Sequence, residues 1–146
     1  MDRVETTANQ SEPCYLVDKS ALARSHLEPV AKRLAPLYPS SQIATCPIID
    51  LELLFSVRNE AEHAQLRQEL ESIQSFPIDE AVTEHAIDVQ GRLAAAGQHR
   101  LPITDLLIAA VAEVNGLVIL HYDKDFDTIA VITGQHAEWV VPRGSL

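Results

Sequence analysis

Residues 100–129, RLPITDLLIAAVAEVNGLVILHYDKDFDTI, constrain this 146-residue chain more than any other stretch. Pro102 and Thr104 open a helical pattern that puts Ile103, Leu106, Leu107, Ala110, Val111 and Val114 on one wide apolar face. Asn115-Gly116 ends it, glycine supplying the left-handed conformation of a helix terminus. Leu117-Val118-Ile119-Leu120 then has the unbroken apolar character of a strand buried on both faces. Asp123, Asp125 and Asp127 follow directly, opening a helix that runs to Ile132. A helix, a buried strand and an acidic loop in this order form a parallel α/β unit whose strand delivers carboxylates at its carboxyl end.

The rest of the chain repeats the alternation. Cys14–Val17 reads as a first strand ending in Asp18, with helices over Ser20–Leu27 and, after Pro29, Val30–Tyr38. Gln42–Thr45 reads as a second strand. Ile48–Val57 reads as a helix with Ile48, Leu51, Leu54 and Phe55 on one face and Glu52 in its early part. An amphipathic helix over Asn59–Ile73 turns Ala61, Ala64, Leu66 and Leu70 inward. Phe76-Pro77-Ile78 is a brief strand, Asp79 or Thr83 caps a helix to Ala96, and Glu138–Val141 is a last edge strand. The expected architecture is a parallel sheet of four to five strands with helices on both faces, one domain over residues 14–141 between a polar, flexible tail (1–13) and a short C-terminal tail (142–146). The closing VPRGSL resembles a protease site used in recombinant expression and also reads as a native tail, and it carries no functional weight.

Composition narrows the function. The net charge of −10 argues against passive binding of nucleic acid, which needs cations to displace counterions; an enzyme whose bound divalent ions reverse the local sign stays open. No apolar run approaches the roughly 20 residues that span a bilayer. The N-terminus lacks the apolar segment of a signal peptide. Cys14 and Cys46 form no CxxC pair and read as buried thiols, so the expected location is cytoplasmic. The six histidines make no zinc-spaced set, and no P-loop or GxGxxG marks a nucleotide cofactor.

The acids are the chemistry. Asp18 ends the first strand, Glu52 follows the second, Asp105 begins a helix, and Asp123 and Asp125 follow the fourth strand. In an open parallel sheet these positions share one edge, where ligands bind. Each has a structural reading as well: Asp18 and Asp123 as helix caps, Asp105 as a charge on a helix dipole, Glu52 as a solvated helix residue. Together they repel one another unless a cation compensates, and Mg²⁺ or Mn²⁺ suits oxygen donors. Such an ion activates water and stabilises charge on a phosphodiester. Lys19, Arg24, Arg92, Arg100 and Lys124 lie near the bordering loops, as backbone-positioning cations or as solvated surface charge.

At YLVDKSAL, PIIDLELLFSVR, LPITDLLIAAVAEVNG and ILHYDKDFDTIA, around Asp18, Glu52, Asp105 and Asp123, the sequence resembles the PIN-domain nucleases, and among them the VapC-type toxins. The resemblance implies a three-layer α/β/α sandwich, a Mg²⁺- or Mn²⁺-dependent endoribonuclease leaving 5′-phosphate and 3′-hydroxyl ends, a homodimer, and inhibition by a cognate antitoxin. It implies that Asp18, Glu52, Asp105 and Asp123 are the acidic quartet, that Asp125 is a further metal-binding acid, and that Ser20 supports Asp18. Lys19 departs from the pattern, where Thr is commoner, and puts a cation beside the site. Two other readings compete. One is a catalytically silent PIN-like module that only binds a protein. The other is a phospho-acceptor receiver-like domain, which the Asp18-Lys19 pair and the want of a lone acceptor Asp after a central strand disfavour. A dehalogenase-type phosphatase fails at Ser20, and an EF-hand at Thr128 and Gly134.

Overall fold

A computed structural model describes residues 14–146. The strands are β1 (Tyr15–Val17), β2 (Ile43–Thr45), β3 (Gln74–Ser75), β4 (Val118–His121) and β5 (Ala137–Trp139), all parallel, in the order β3-β2-β1-β4-β5. The helices are α1 (Lys19–Leu22), α2 (Glu28–Leu34, extended by a 3₁₀ turn over Ala35–Leu37), α3 (Pro47–Phe55), α4 (Glu60–Leu70), α5 (Glu80–Ala95), α6 (Ile103–Val114) and α7 (Lys124–Thr133). This is the expected three-layer sandwich, with five strands among the described residues.

Strand alternation builds the two cores. Leu16 and Ile119, paired in register, face α3, α5, α6 and α7 together with Ala44, Ile49, Val111 and Phe126. Val17 and Leu120, the next pair, face α1 and α2 with Val30, Leu34 and Val140. The chain runs outward from β1 through β2 to β3, then crosses back to place β4 on the other side of β1. The switch point therefore lies between β1 and β4. There the connections leave in opposite directions and open a crevice beyond the strands' carboxyl ends.

Several expectations shift. The third strand is Gln74–Ser75, not Phe76–Ile78: Phe76 N–H makes the last bond, to Thr45 O at 2.9 Å, and Pro77 has no N–H to continue the ladder. On α3, Leu51 is 64% and Phe55 89% exposed, while Ile49 is fully buried. That helix is apolar nearly all round, so periodicity alone does not select the face that packs. Ala61 and Ala64 of α4 are exposed as well, leaving Leu70 as its buried anchor. On α6, Ile103 and Val114 are exposed and Ile108, Ala109 and Ala112 are buried, because sheet and helices enclose its middle turns. The first helix stops at Leu22 and continues as turns. Cys14 is exposed rather than buried, whereas Cys46 is buried. Residues 142–146 fold back, the Gly144 and Leu146 N–H groups donating to the Tyr122 hydroxyl at 3.1 and 3.2 Å. The expected tail over 1–13 lies outside the described residues. No helix among them is long and apolar enough to cross a membrane.

Candidate metal centre

The crevice at the switch point is a cleft of about 440 Å³ lined by Asp18, Lys19, Ser20, Ala23, Arg24, Glu52, Asp105, Tyr122 and Asp123. All four acids of the expected quartet border it. Asp18 and Asp123 enter from the ends of adjacent strands, Asp105 from the first turn of α6 and Glu52 from α3.

The two strand-end acids are also helix caps, and the capping geometry serves the site. Asp18 Oδ2 accepts the Ser20 N–H at 2.9 Å, and Asp123 Oδ1 accepts the Asp125 N–H at 2.9 Å. Each cap fixes a carboxylate through one oxygen and leaves the other free to ligate. Ser20 ties the strands' ends together, its hydroxyl oxygen accepting the Tyr122 N–H at 2.8 Å. Asp123 N–H in turn donates to His121 Nδ1 at 3.1 Å.

Burial and mutual repulsion charge the cleft. Asp105 is 8% exposed, and its pKa is pushed up to about 7, first by burial, then by Asp123, Asp18, Asp125 and Glu52. Asp18 is raised chiefly by burial, against the lowering bonds from Ser20. Glu52 is raised by burial and by Asp18, with Lys19 pulling the other way; Asp125 is raised by burial and by Asp123, with Lys124 opposing. Lys19 thus acts on the cleft electrostatically, through Glu52.

One carboxylate oxygen from each of Asp105, Asp123 and Asp125 lies within 4.8 Å of the other two. An octahedral Mg²⁺ with bonds of about 2.1 Å separates its oxygen ligands by about 3 Å when adjacent and about 4 Å when opposite. Small side-chain rotations bring these three oxygens to that spacing, so the donor set fits a hard divalent cation. Such a cation would also relieve the repulsion that raises Asp105. Asp18 and Glu52 stand in the same cleft, outside that closest triple.

The flanking cations divide. Lys19 and Arg24 line the cleft, although the Arg24 guanidinium is engaged by Ser20 O at 2.8 Å and stacks 4.8 Å from the Tyr122 ring centroid. Lys124 sits on the first turn of α7, beside Asp123, and Arg100 is exposed in the loop before α6. Arg92 is elsewhere: it donates to Ile132 O at 2.6 Å, on the last turn of α7, about 13 Å along that helix from its acidic end. Sequence reasoning passed over Tyr122 and His121. Their signal was position, between the buried strand and the acid it delivers.

A parallel sheet of this order with an acid-lined cleft at its switch point is the class of domain described by the PIN domain family model, which matches residues 15–132. The chain is 41% identical over 135 residues to Ribonuclease VapC51 of Mycobacterium tuberculosis (strain ATCC 25618 / H37Rv), covering 90% of this chain and 96% of the relative. It belongs to the PIN-domain family, in the VapC ribonuclease branch. A crystal structure of DNA-bound VapBC from Salmonella typhimurium has the same fold, with a TM-score of 0.71 at 18% identity over 88% of this chain and 99% of that one. A second, of VapBC-5 from Mycobacterium tuberculosis, a member of the VapBC family of toxin–antitoxin systems, superposes with a TM-score of 0.58 at 26% identity, covering 87% and 98%.

Proposed function

We propose that this chain is a VapC-type toxin, a divalent-metal-dependent endoribonuclease held in check by a cognate antitoxin. The observation that carries the reading is the crowding of Asp105, Asp123 and Asp125 around one point of a cleft that Asp18 and Glu52 also border. Ribonuclease activity comes from the VapC relatives, and the antitoxin from the toxin–antitoxin complexes among the structural neighbours.

In this reading Asp105, Asp123 and Asp125 would hold Mg²⁺ or Mn²⁺, with Asp18 and Glu52 completing the acidic set from the same cleft. The ion, when bound, supplies an activated water and stabilises charge on the phosphodiester. The chain supplies the rest. Ser20 and the two caps hold the carboxylates in place before the ion arrives, which removes reorganisation from its binding. Asp105 gives up its proton as the ion enters, so metal affinity rises with pH up to about 7. Lys19 and Lys124, with Arg24 and Arg100 at the border, offset the acids and guide an RNA backbone towards the cleft.

The antitoxin docks on the outer face of α3 and α4. A groove of about 610 Å³ there is lined by Pro47, Leu51, Leu54, Leu70 and Ile73, and Phe55 stands exposed beside it. A basic partner suits a net charge of −10. The working form is a homodimer, and exposed Ile87 and Ile103 on α5 and α6 are apolar surface available for it. The nuclease unit is residues 14–141, and it acts in the cytoplasm.

The test is cleavage of single-stranded RNA by purified protein with Mg²⁺, Mn²⁺ or EDTA. Wild type cuts with either ion and not with EDTA, leaving 5′-phosphate ends. Asp18→Asn stays folded and does not cut. Cleavage that persists in EDTA, or in a cleanly purified Asp18→Asn protein, overturns the reading.

A further inference from the structure

His121 is fully buried at the end of β4, two residues before Asp123, and its ring contacts Phe126 (centroids 5.1 Å apart) and Trp139 (5.0 Å). A histidine enclosed by aromatic rings is usually a core residue with both nitrogens satisfied. Here they are not equivalent. Nδ1 accepts the Asp123 N–H at 3.1 Å, so it carries no proton, and the proton of the neutral ring is on Nε2. Among the described residues, Nε2 is the one buried side-chain polar atom without a hydrogen-bond partner. The nearest carboxylate, Asp127, is 3.9 Å away, too far for a hydrogen bond but close enough to favour a proton on Nε2. Trp139 Nε1 holds Asp127 there, donating to its two oxygens at 2.9 and 3.2 Å. Trp139 is itself opposite His121 in the β4–β5 register.

We infer that His121 is a positioning residue for the metal centre: Asp127, held by Trp139, favours the proton on Nε2, and the unprotonated Nδ1 accepts from and fixes the backbone N–H of Asp123. The inference rests on the proposed metal-nuclease reading and assigns Asp123 a support that reaches it from β5. Asp123 is held at both ends, its N–H by His121 and its Oδ1 by Asp125 N–H. Two fixed points leave the second oxygen a narrow range of directions. Partners that orient a metal ligand typically contribute ten- to a hundredfold in affinity.

Three substitutions separate positioning from packing. His121→Phe keeps the ring and removes the acceptor. His121→Asn places an amide oxygen near the Nδ1 position, and His121→Gln places its amide near Nε2, out of reach of Asp123 N–H. Two quantities are read on each: Mn²⁺ affinity by calorimetry, and solvent exchange of the Asp123 amide by NMR in EDTA. Wild type and His121→Asn should protect the amide and bind Mn²⁺ within about threefold of each other. His121→Phe and His121→Gln should exchange faster and bind about tenfold or more weakly. If His121→Phe does not fold, the Asn and Gln pair decides the matter. Wild-type affinity and protection in His121→Phe or His121→Gln, or equal losses in Asn and Gln, overturn the inference. A wild-type protein that binds no Mn²⁺ overturns this inference and the metal-nuclease reading together, whereas a wild-type protein that binds while the Phe or Gln variant binds equally well overturns this one alone.

Discussion

Asp105→Asn should make the metal-free protein more stable while removing its metal site. Asp105 is 8% exposed, and its pKa is pushed from 3.8 to about 7. The folded state therefore binds this proton more tightly than the unfolded chain. Its contribution is fully present below about pH 4 and is lost as pH rises to about 7. A shift of roughly three units corresponds to about 4 kcal/mol. Relaxation and water entry reduce that, and the Asn amide must find its own partners, so the expected gain at pH 8 is about 2 kcal/mol, or about 4–8 °C in Tm. The assay is thermal unfolding of both proteins in EDTA from pH 4 to pH 8. The Tm difference should open across this interval and be smallest at pH 4. Saturating Mn²⁺ should invert the order, since only wild type gains binding energy, about 3 kcal/mol at a hundredfold excess over Kd. Equal Tm at pH 8 in EDTA, or a difference as large at pH 4 as at pH 8, would show that burial and the neighbouring acids do not destabilise the Asp105 carboxylate.

Other consequences follow from single contacts. Ser20→Ala leaves the part-buried Tyr122 N–H without its acceptor and should cost about 1–3 kcal/mol in urea unfolding, with weaker Mn²⁺ binding in the same sample. Phe126→Ala empties a fully buried site between α7 and the sheet and should cost about 3–5 kcal/mol by the same assay. Lys19→Ala should weaken binding of a cleavage-resistant single-stranded RNA analogue to the metal-loaded protein and lower the salt dependence by about one ion. Phe55→Asp, at an 89% exposed position, should change stability by no more than about 0.5 kcal/mol and leave RNA cleavage intact, while antitoxin capture falls.

The sequence made the sheet legible wherever strands were buried on both faces. Leu117–Leu120 and Tyr15–Val17 have no other environment that suits them, and the acids at their ends came with them. The gathering of Asp18, Glu52, Asp105 and Asp123 in one cleft was legible because the carboxyl ends of strands in a parallel sheet share an edge, and Asp18 and Asp105 are buried there. The structural readings of these acids also hold, since Asp18 and Asp123 do cap helices, and one oxygen each is enough for that. The packing faces of α3 and α4 were not legible. Ile48, Ile49, Leu51, Leu53, Leu54 and Phe55 cover almost the whole circumference of α3, and tertiary context alone turns Ile49 inward and Phe55 out. The third strand was misplaced because its residues, Gln74 and Ser75, are exposed and polar while the neighbouring apolar Phe76 and Ile78 flank a proline. Arg92 was placed near the cleft by sequence proximity to a loop, but its bond to Ile132 O puts it at the far end of α7.

A metal nuclease needs the acidic cleft to hold a divalent ion and to use it on RNA. Both are read in one experiment, calorimetric titration of wild type and Asp105→Asn with Mn²⁺, with RNA cleavage scored on the same samples. Wild type should bind, release a proton at pH 6 as Asp105 ionises, and cut RNA; Asp105→Asn should do none of these while remaining folded. Metal binding and cleavage retained by Asp105→Asn, or a wild-type cleft that takes up no ion yet cuts RNA, would contradict the account.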